Sequence, residues 1–444
     1  CFREDGMTLP WSEDYAWQVP IGTPQMNGVN LDLARAGLRG KPDRKILYYV
    51  MPHSPGNTPA MWRRLWHNAI GHGAKILDLF EFDAVWVAYT ENHVTGKAMY
   101  AAVLRGMREL GLYEDIVQAG TRRPAEVGLW FSETGDIWGD NEKSFGSAKR
   151  ALYTAILHQQ VALDFIVDQD AADGTLAAYK VLYLTDNHVS RSSSQKIAAW
   201  VTSGGTLFAT AGAGMFDERN QPNAVLRELL GVEQAALDAP AEAQVGFLKE
   251  DLPFKSAIDT ATLKSNGQEC KVPVLGIRSR IMLKGAEARG TFADGSPAVA
   301  SRKVGKGQAT TCAFLPGLAY FKPAIPLKPL DRGSTDDAMA HFIPTAFDPN
   351  AADLIGSAVK GLARPVVSSE PLVAASVIES KVGTVIVLEN WSGKPVKGMT
   401  LAANIPLPAK AELASGGKLA VMKEGNATVF TFDMDVSGDV VILR

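Results

Sequence analysis

Two neighbouring carboxylates, Glu13 and Asp14, stand in the stretch Met7–Trp17 (MTLPWSEDYAW), among Trp11, Tyr15 and Trp17. Carboxylates take hydroxyl protons and aromatic faces pack on sugar rings, so this grouping suits a sugar site. The alternative is a solvated loop or a helix amino terminus. Tryptophans such as Trp11, Trp17 and Trp86 also commonly fill cores. A second set is His53, Glu81 and Asp83, with Asp78 close by in sequence. Imidazole and carboxylate are the usual groups of general acid–base chemistry. Their structural alternatives are a histidine bonded to backbone and a carboxylate bonded inside a sheet.

These residues are positioned by one stretch, Arg44–Phe82. Ile46–Met51 is a short apolar run ending at a Pro/Gly/Asn cluster, which reads as a buried strand. Pro59–His72 carries Met61, Leu65, Trp66, Ala69 and Ile70 at helical spacing, with Arg63, Arg64 and His67 on other faces. His67 and His72 lie on or beside this helix and are expected to be structural. Gly71 and Gly73 end the helix, and Ala74–Phe82 reads as a second strand. So long a crossover calls for parallel pairing. In parallel sheets and barrels, chemistry gathers at the carboxyl ends of the strands, where His53, Glu81 and Asp83 fall. Met7–Trp17 supplies a further strand with Glu13 and Asp14 at its carboxyl end. Asn27–Gly37 and Met99–Leu110 read as helices. Three strand–helix units result, less than half of an eight-fold barrel.

The chain has 444 residues, enough for two to four domains. Its net charge of −3 and lack of a long basic run argue against a nucleic-acid partner. No apolar run reaches membrane-spanning length, and the compartment is left open. Cys1, Cys270 and Cys312 lie too far apart in sequence for a disulfide framework or a metal cluster. No ligand spacing indicates a catalytic metal, and no cofactor is expected. The chain opens at Cys1 and runs at once into strand-like sequence, so further residues upstream are expected.

Beyond a boundary near Ala119–Pro124, strands alternate with helices. Glu126–Ser132, Leu163–Val167, Lys180–Thr185 and Thr206–Thr210 read as strands, and Phe145–Gln160 and Ser193–Thr202 as helices. This is the pattern of a doubly wound parallel sheet. Asp168, Asp170, Asp173 and Gly174 read as a turn. Gly290–Ala300 reads as a hairpin around Asp294-Gly295, and Val304–Leu315 as another strand pair. Ala319–Pro349 is a long Pro- and Asp-rich segment with His341, and Ala351–Leu362 a helix. From about Val366 the chain turns to short β-rich runs, a small antiparallel module.

Four stretches then carry a resemblance to the family 42 glycoside hydrolases of β-galactosidase type. They are Ser54–Gly56 with the Trp-bearing helix and Gly71–Phe82 (GHGAKILDLFEF), Tyr179–Val189 (YKVLYLTDNHV), Ala198–Thr210 (AAWVTSGGTLFAT) and Phe292–Tyr320. The resemblance implies an α/β chain in three parts: the carboxyl-terminal part of a (β/α)8 catalytic barrel over 1–119, an amidotransferase-like, flavodoxin-like oligomerisation domain over 120–364, and a small antiparallel β-sandwich over 365–444. It also implies hydrolysis of a β-linked, galactoside-like sugar and a homotrimer. Where the family has its nucleophilic glutamate, this chain has Pro52, followed by His53. Glu13 and Glu81 are the candidates for a relocated nucleophile, and the resemblance implies a general acid/base in the barrel half upstream. Asp14, Trp17 and His53 would bind substrate. Glu91 and His93 resemble the family's hydroxyl-binding Glu and His, with a spacing one residue shorter. The other outcome of the Pro52 departure is an inactive barrel kept for carbohydrate binding or oligomeric structure. The comparable turn of an active amidotransferase needs a cysteine, whereas Thr185–His188 has none, so a scaffold role is expected there. Ala211–Phe216 (AGAGMF) follows a strand but lacks the third glycine of a dinucleotide site.

Overall fold

The computed structural model describes residues 8–13, 24–52, 57–79, 97–139, 144–238, 256–265, 267–324 and 343–444. Three short strands, Trp11–Glu13, Leu47–Tyr49 and Ile76–Asp78, pair in parallel in that order. Helices Asn27–Gly37 and Pro59–Gly71 make the crossovers, as the sequence pattern predicts. The second begins where Thr58 accepts a hydrogen bond from the Met61 amide at 3.1 Å, with Pro59 in the first turn. Helix Lys97–Leu110 follows.

Helix Pro59–Gly71 departs from its sequence pattern in one respect. Arg63, Arg64 and His67 are as buried as its apolar face. A two-sided burial needs a second covering layer, and the carboxyl-terminal strands provide it. Arg64 donates to the Asn390 carbonyl at 2.7 Å and the Val436 carbonyl at 2.5 Å. Asn68 donates to Glu389 at 2.8 Å, and Arg63 pairs with Glu109 at 2.8 Å. The fit is close enough that a Cβ on Gly438 would lie 2.9 Å from His67 Nδ1.

The central lobe holds a nine-stranded sheet. Five of its strands are parallel and adjacent: Leu163–Ile166, Val127–Trp130, Val181–Leu184, Thr206–Ala209 and Gly307–Cys312. In chain order this is 2-1-3-4-5, the flavodoxin-like arrangement. Pro297–Val304, Glu287–Thr291, Asp259–Ser265 and Gln268–Val274 extend the sheet antiparallel. The hairpin expected around Asp294-Gly295 joins two of them, with Gly295 at φ +81°. Asp168–Ala172 is a short helix rather than part of a turn, because Asp170 accepts from the Val167 amide at 3.0 Å and caps it. Pro316–Phe321, where the long irregular segment was expected to begin, is also a helix, started by Pro316.

The carboxyl-terminal lobe has two antiparallel sheets, one of four strands and one of five. In the latter, Gly383–Asn390 sends Ile386 and Leu388 into the sandwich core and Val385 and Val387 against helix Pro59–Gly71 and its neighbours. Gly438–Leu443 does the same with Val441 and Leu443 on one side and Val440 and Ile442 on the other. Both faces are covered, so these strands read as continuous apolar runs rather than alternating ones. The expected boundary segment supplies the edge strand: Thr121–Arg122 pairs with Glu379 and Ile378.

One buried carboxylate joins the lobes. Asp32, only 1 % exposed, accepts from His72 Nδ1 and Tyr153 Oη, each at 2.8 Å, and pairs with Arg35. Arg35 in turn reaches Asp164 at 2.5 Å and the carbonyls of His72 and Leu163. Burial alone would raise the Asp32 pKa. Arg35, His72 and Arg122 outweigh it and hold the carboxyl well below its usual range.

Two buried histidines add acid sensitivity between pH 7 and 4. Burial first, then the Arg63 guanidinium, pushes His67 down to about 4. Burial pushes His158 down to about 3; its Nδ1 accepts from Tyr320 Oη while Nε2 donates to Gln25. Both are neutral when folded and protonate in the unfolded chain below the ordinary histidine value of about 6.5. Their effect on stability is absent above that value and grows as the pH falls toward 4. Each should then remove about 1.4 kcal/mol per pH unit. Urea melts between pH 7 and 4 should show this decline, and His158→Gln should reduce its slope by about one proton.

Candidate active site

The alternation of the three parallel strands decides what faces what. Tyr48 and Leu77 point to the helix side and pack in the core with Trp62 and Leu65. Residues one step away point to the opposite face. The register pairs Trp11 with Leu47 and Ile76 at one level, and Glu13 with Tyr49 and Asp78 at the carboxyl end. The face away from the helices therefore presents Trp11, Glu13, Tyr49, Ile76 and Asp78. Trp11 is 55 % exposed and meets Tyr49 edge-on at 5.5 Å.

Glu13 ends its strand half-buried, and that burial pushes its carboxyl upward. Its backbone is two strands from that of Asp78, about 10 Å at ordinary interstrand spacing. Sequence reasoning placed Asp78 only among the acids ending its strand. Its shared face with Glu13 follows from the register, which short strands do not disclose on their own. After Tyr49 the chain continues through buried Met51 and Pro52, and Asn57 ties it back by donating to the Met51 carbonyl at 3.1 Å. Asp14, Trp17, His53, Glu81, Glu91 and His93 lie outside the described residues, as do Asp83 and Trp86.

The central sheet has its own customary ligand position, the switch point between its first and third parallel strands. Here Lys149 and Asp186 form a buried ion pair, and Ser132 Oγ donates to the His188 carbonyl at 2.6 Å. The turn Thr185–His188 is buried. Cys312 is buried elsewhere, and burial pushes its thiol far above the ordinary range, which makes it a poor nucleophile. In the stretch Ala211–Phe216 the Gly212 amide donates to Gln234 and the Gly214 amide to the Asp186 carbonyl. Neither is left for a pyrophosphate. Among the described residues, no group of three or more His, Cys, Asp or Glu is placed to hold a metal, and no helix is long and apolar enough to cross a membrane.

Residues 130–323 match the family model of the β-galactosidase trimerisation domain. Over that lobe the chain is similar to the family 42 β-galactosidases. The match spans the five parallel strands, from Trp130 at the end of the first, and their antiparallel extension. A solved family 42 β-galactosidase from G. stearothermophilus superposes with a TM-score of 0.68 at 17 % identity, covering 98 % of this chain and 59 % of that one. The polyextremophilic β-galactosidase from Halorubrum lacusprofundi gives 0.64 at 16 %, covering 100 % and 58 %. An α-L-fucosidase, isoenzyme 2 from Paenibacillus thiaminolyticus, gives 0.59 at 14 %, covering 96 % and 64 %. No curated protein matches the chain in sequence. At these identities the superpositions show the fold: a parallel sheet with helices, the mixed sheet of the trimerisation domain, and antiparallel carboxyl-terminal sheets. The chain spans less than two thirds of the length of these solved enzymes.

Among the described residues, burial is the influence that acts on the Glu13 carboxyl. Glu13→Gln should leave the unfolding free energy from urea melts within about 0.5 kcal/mol of the parent. A larger loss would make Glu13 a structural residue.

Proposed function

We propose that the protein hydrolyses a β-linked, galactoside-like sugar as a homo-oligomer, trimeric through its central lobe. The observation that carries this reading is the family 42 trimerisation-domain match attached to parallel strands whose carboxyl end bears a half-buried carboxylate. In this reading Glu13 and Glu81 are the catalytic pair. Burial favours the protonated form of Glu13, which suits a proton donor to the leaving oxygen. Glu81 then serves as the carboxylate that attacks the anomeric carbon or activates water, through an oxocarbenium-like transition state. Asp14, His53, Glu91 and His93 take sugar hydroxyls, and Trp17 stacks on the ring. The half-exposed Trp11 adds an aromatic surface on the same face as Glu13.

One observation favours a second reading. Pro52 occupies the position that corresponds to the family's nucleophile, and proline has no nucleophilic side chain. An inactive barrel would then bind carbohydrate within the oligomer without cleaving it.

Both readings meet in one experiment. The protein is incubated with aryl β-galactosides, other aryl β-glycosides and an aryl α-L-fucoside, beside Glu13→Gln, Glu81→Gln and His53→Ala. The hydrolase reading expects β-galactoside cleavage and a fall in kcat of about 10²–10⁴-fold in a Gln variant that still binds sugar. Sugar binding without cleavage would support the binding reading. Neither binding nor cleavage would overturn both.

A further inference from the structure

A cleft of about 300 Å³ opens where the three lobes meet. It is lined by residues preceding strands Leu47–Tyr49 and Ile76–Asp78, at the end of those strands opposite Tyr49 and Asp78, and by the Thr121–Arg122 edge strand. Eight of its lining side chains are cationic, and one, Asp164, is a carboxylate. Where a cation is buried, such an imbalance is costly unless that cation has a partner. Arg35, Arg39 and Arg123 do: they pair with Asp32 and Asp164, with Asp170, and with Glu379.

Three others are under-supplied. The Arg122 side chain is only 10 % exposed, and among the described residues its one ion pair within 4 Å is to Asp32 at 3.4 Å, with Asp164 feeling its charge from farther off. A guanidinium carries five N–H donors. Among the described residues, Lys75 is held by two backbone carbonyls, Val117 and Gly120, with no carboxylate. Its ammonium has a third donor left over. Among the described residues, Lys45 makes a single long contact to Gln118 at 3.4 Å. Burial and then the neighbouring Lys45 push the Lys75 ammonium down to about 8, the direction expected where cations lack a counter-charge.

We propose that this cleft is a binding site for a phosphate or sulfate group, free or carried on a small molecule, held by Lys45, Lys75 and Arg122. A tetrahedral oxyanion supplies several acceptors at once and accepts charge-assisted hydrogen bonds from all three side chains. The cleft is large enough for a small ligand. It is also separate from the Glu13 face, lying toward the other end of the same strands. Occupation would tie the linker strand to both neighbouring lobes and stabilise the folded chain by mass action.

The test is calorimetric titration and thermal unfolding of the protein with inorganic phosphate, inorganic sulfate and glucose 6-phosphate. Ionic strength is matched with sodium chloride. A site predicts saturable heat and a saturable rise in Tm. It also predicts that Lys75→Gln and Lys45→Gln weaken binding about tenfold or more. Lys45 is exposed, so its variant folds even if removal of Lys75 perturbs packing. Equal binding of inorganic phosphate and glucose 6-phosphate would assign the site to the free anion, and tighter binding of the ester would assign it to a phosphorylated small molecule. Phosphate and sulfate also stabilise proteins generally by exclusion from the surface. A rise without saturation, equal in parent and variants, would overturn the proposal, as would absence of heat in all three titrations.

Discussion

A carboxylate removed from water stays charged only if cations and donors replace its hydration. Asp32 meets that demand with partners drawn from several parts of the fold. Arg35 comes from its own helix, His72 from the end of the next helix, Tyr153 from helix Ser144–Leu157 of the central lobe, and Arg122 from the edge strand of the carboxyl-terminal sheet. Arg35 passes the link on to Asp164 in the parallel sheet. Moving any lobe away would leave a buried charge short of partners. The strands that carry Glu13, Tyr49 and Asp78 are therefore held in place from behind by the central and carboxyl-terminal lobes.

The second constraint is packing. The five-stranded carboxyl-terminal sheet is apolar on both faces, one closing the sandwich and the other covering helix Pro59–Gly71. That helix is consequently an interior element, its arginines spent on backbone carbonyls and on Glu109 rather than on solvent. The arrangement leaves the opposite face of the three parallel strands, with Trp11 and Glu13, as the more open one. Fold and candidate site are linked in this way: the lobes behind the strands fix the layer against which the strand ends are set.

Much of this was legible in the residues. Helix Asn27–Gly37 starts and ends where spacing and glycine place it, and Pro59 and Asp294-Gly295 mark their helix start and hairpin. The parallel central sheet follows from alternating strands and helices. What was not legible depends on partners far along the chain. The burial of Arg64 needs Asn390, 326 residues away. Thr121–Arg122 has no strand character of its own and is extended only by pairing with Val373–Ser380. Glu13 was legible as a strand-end acid from its aromatic neighbours, whereas Asp78 joins its face only through the register of three-residue strands. Asp14, Trp17, His53, Glu81, Glu91 and His93 stand on sequence resemblance and residue chemistry.

The claim that Asp32 welds the lobes together is tested most directly by urea unfolding of Asp32→Asn beside the parent, followed by both intrinsic fluorescence and far-ultraviolet circular dichroism. The account predicts a loss of about 3–5 kcal/mol, the cost of stripping one partner from a buried ionic network. It also predicts that the two probes, coincident in the parent, separate in the variant as the lobes uncouple. An unchanged midpoint with coincident probes would contradict it and place the coupling in the apolar contacts alone.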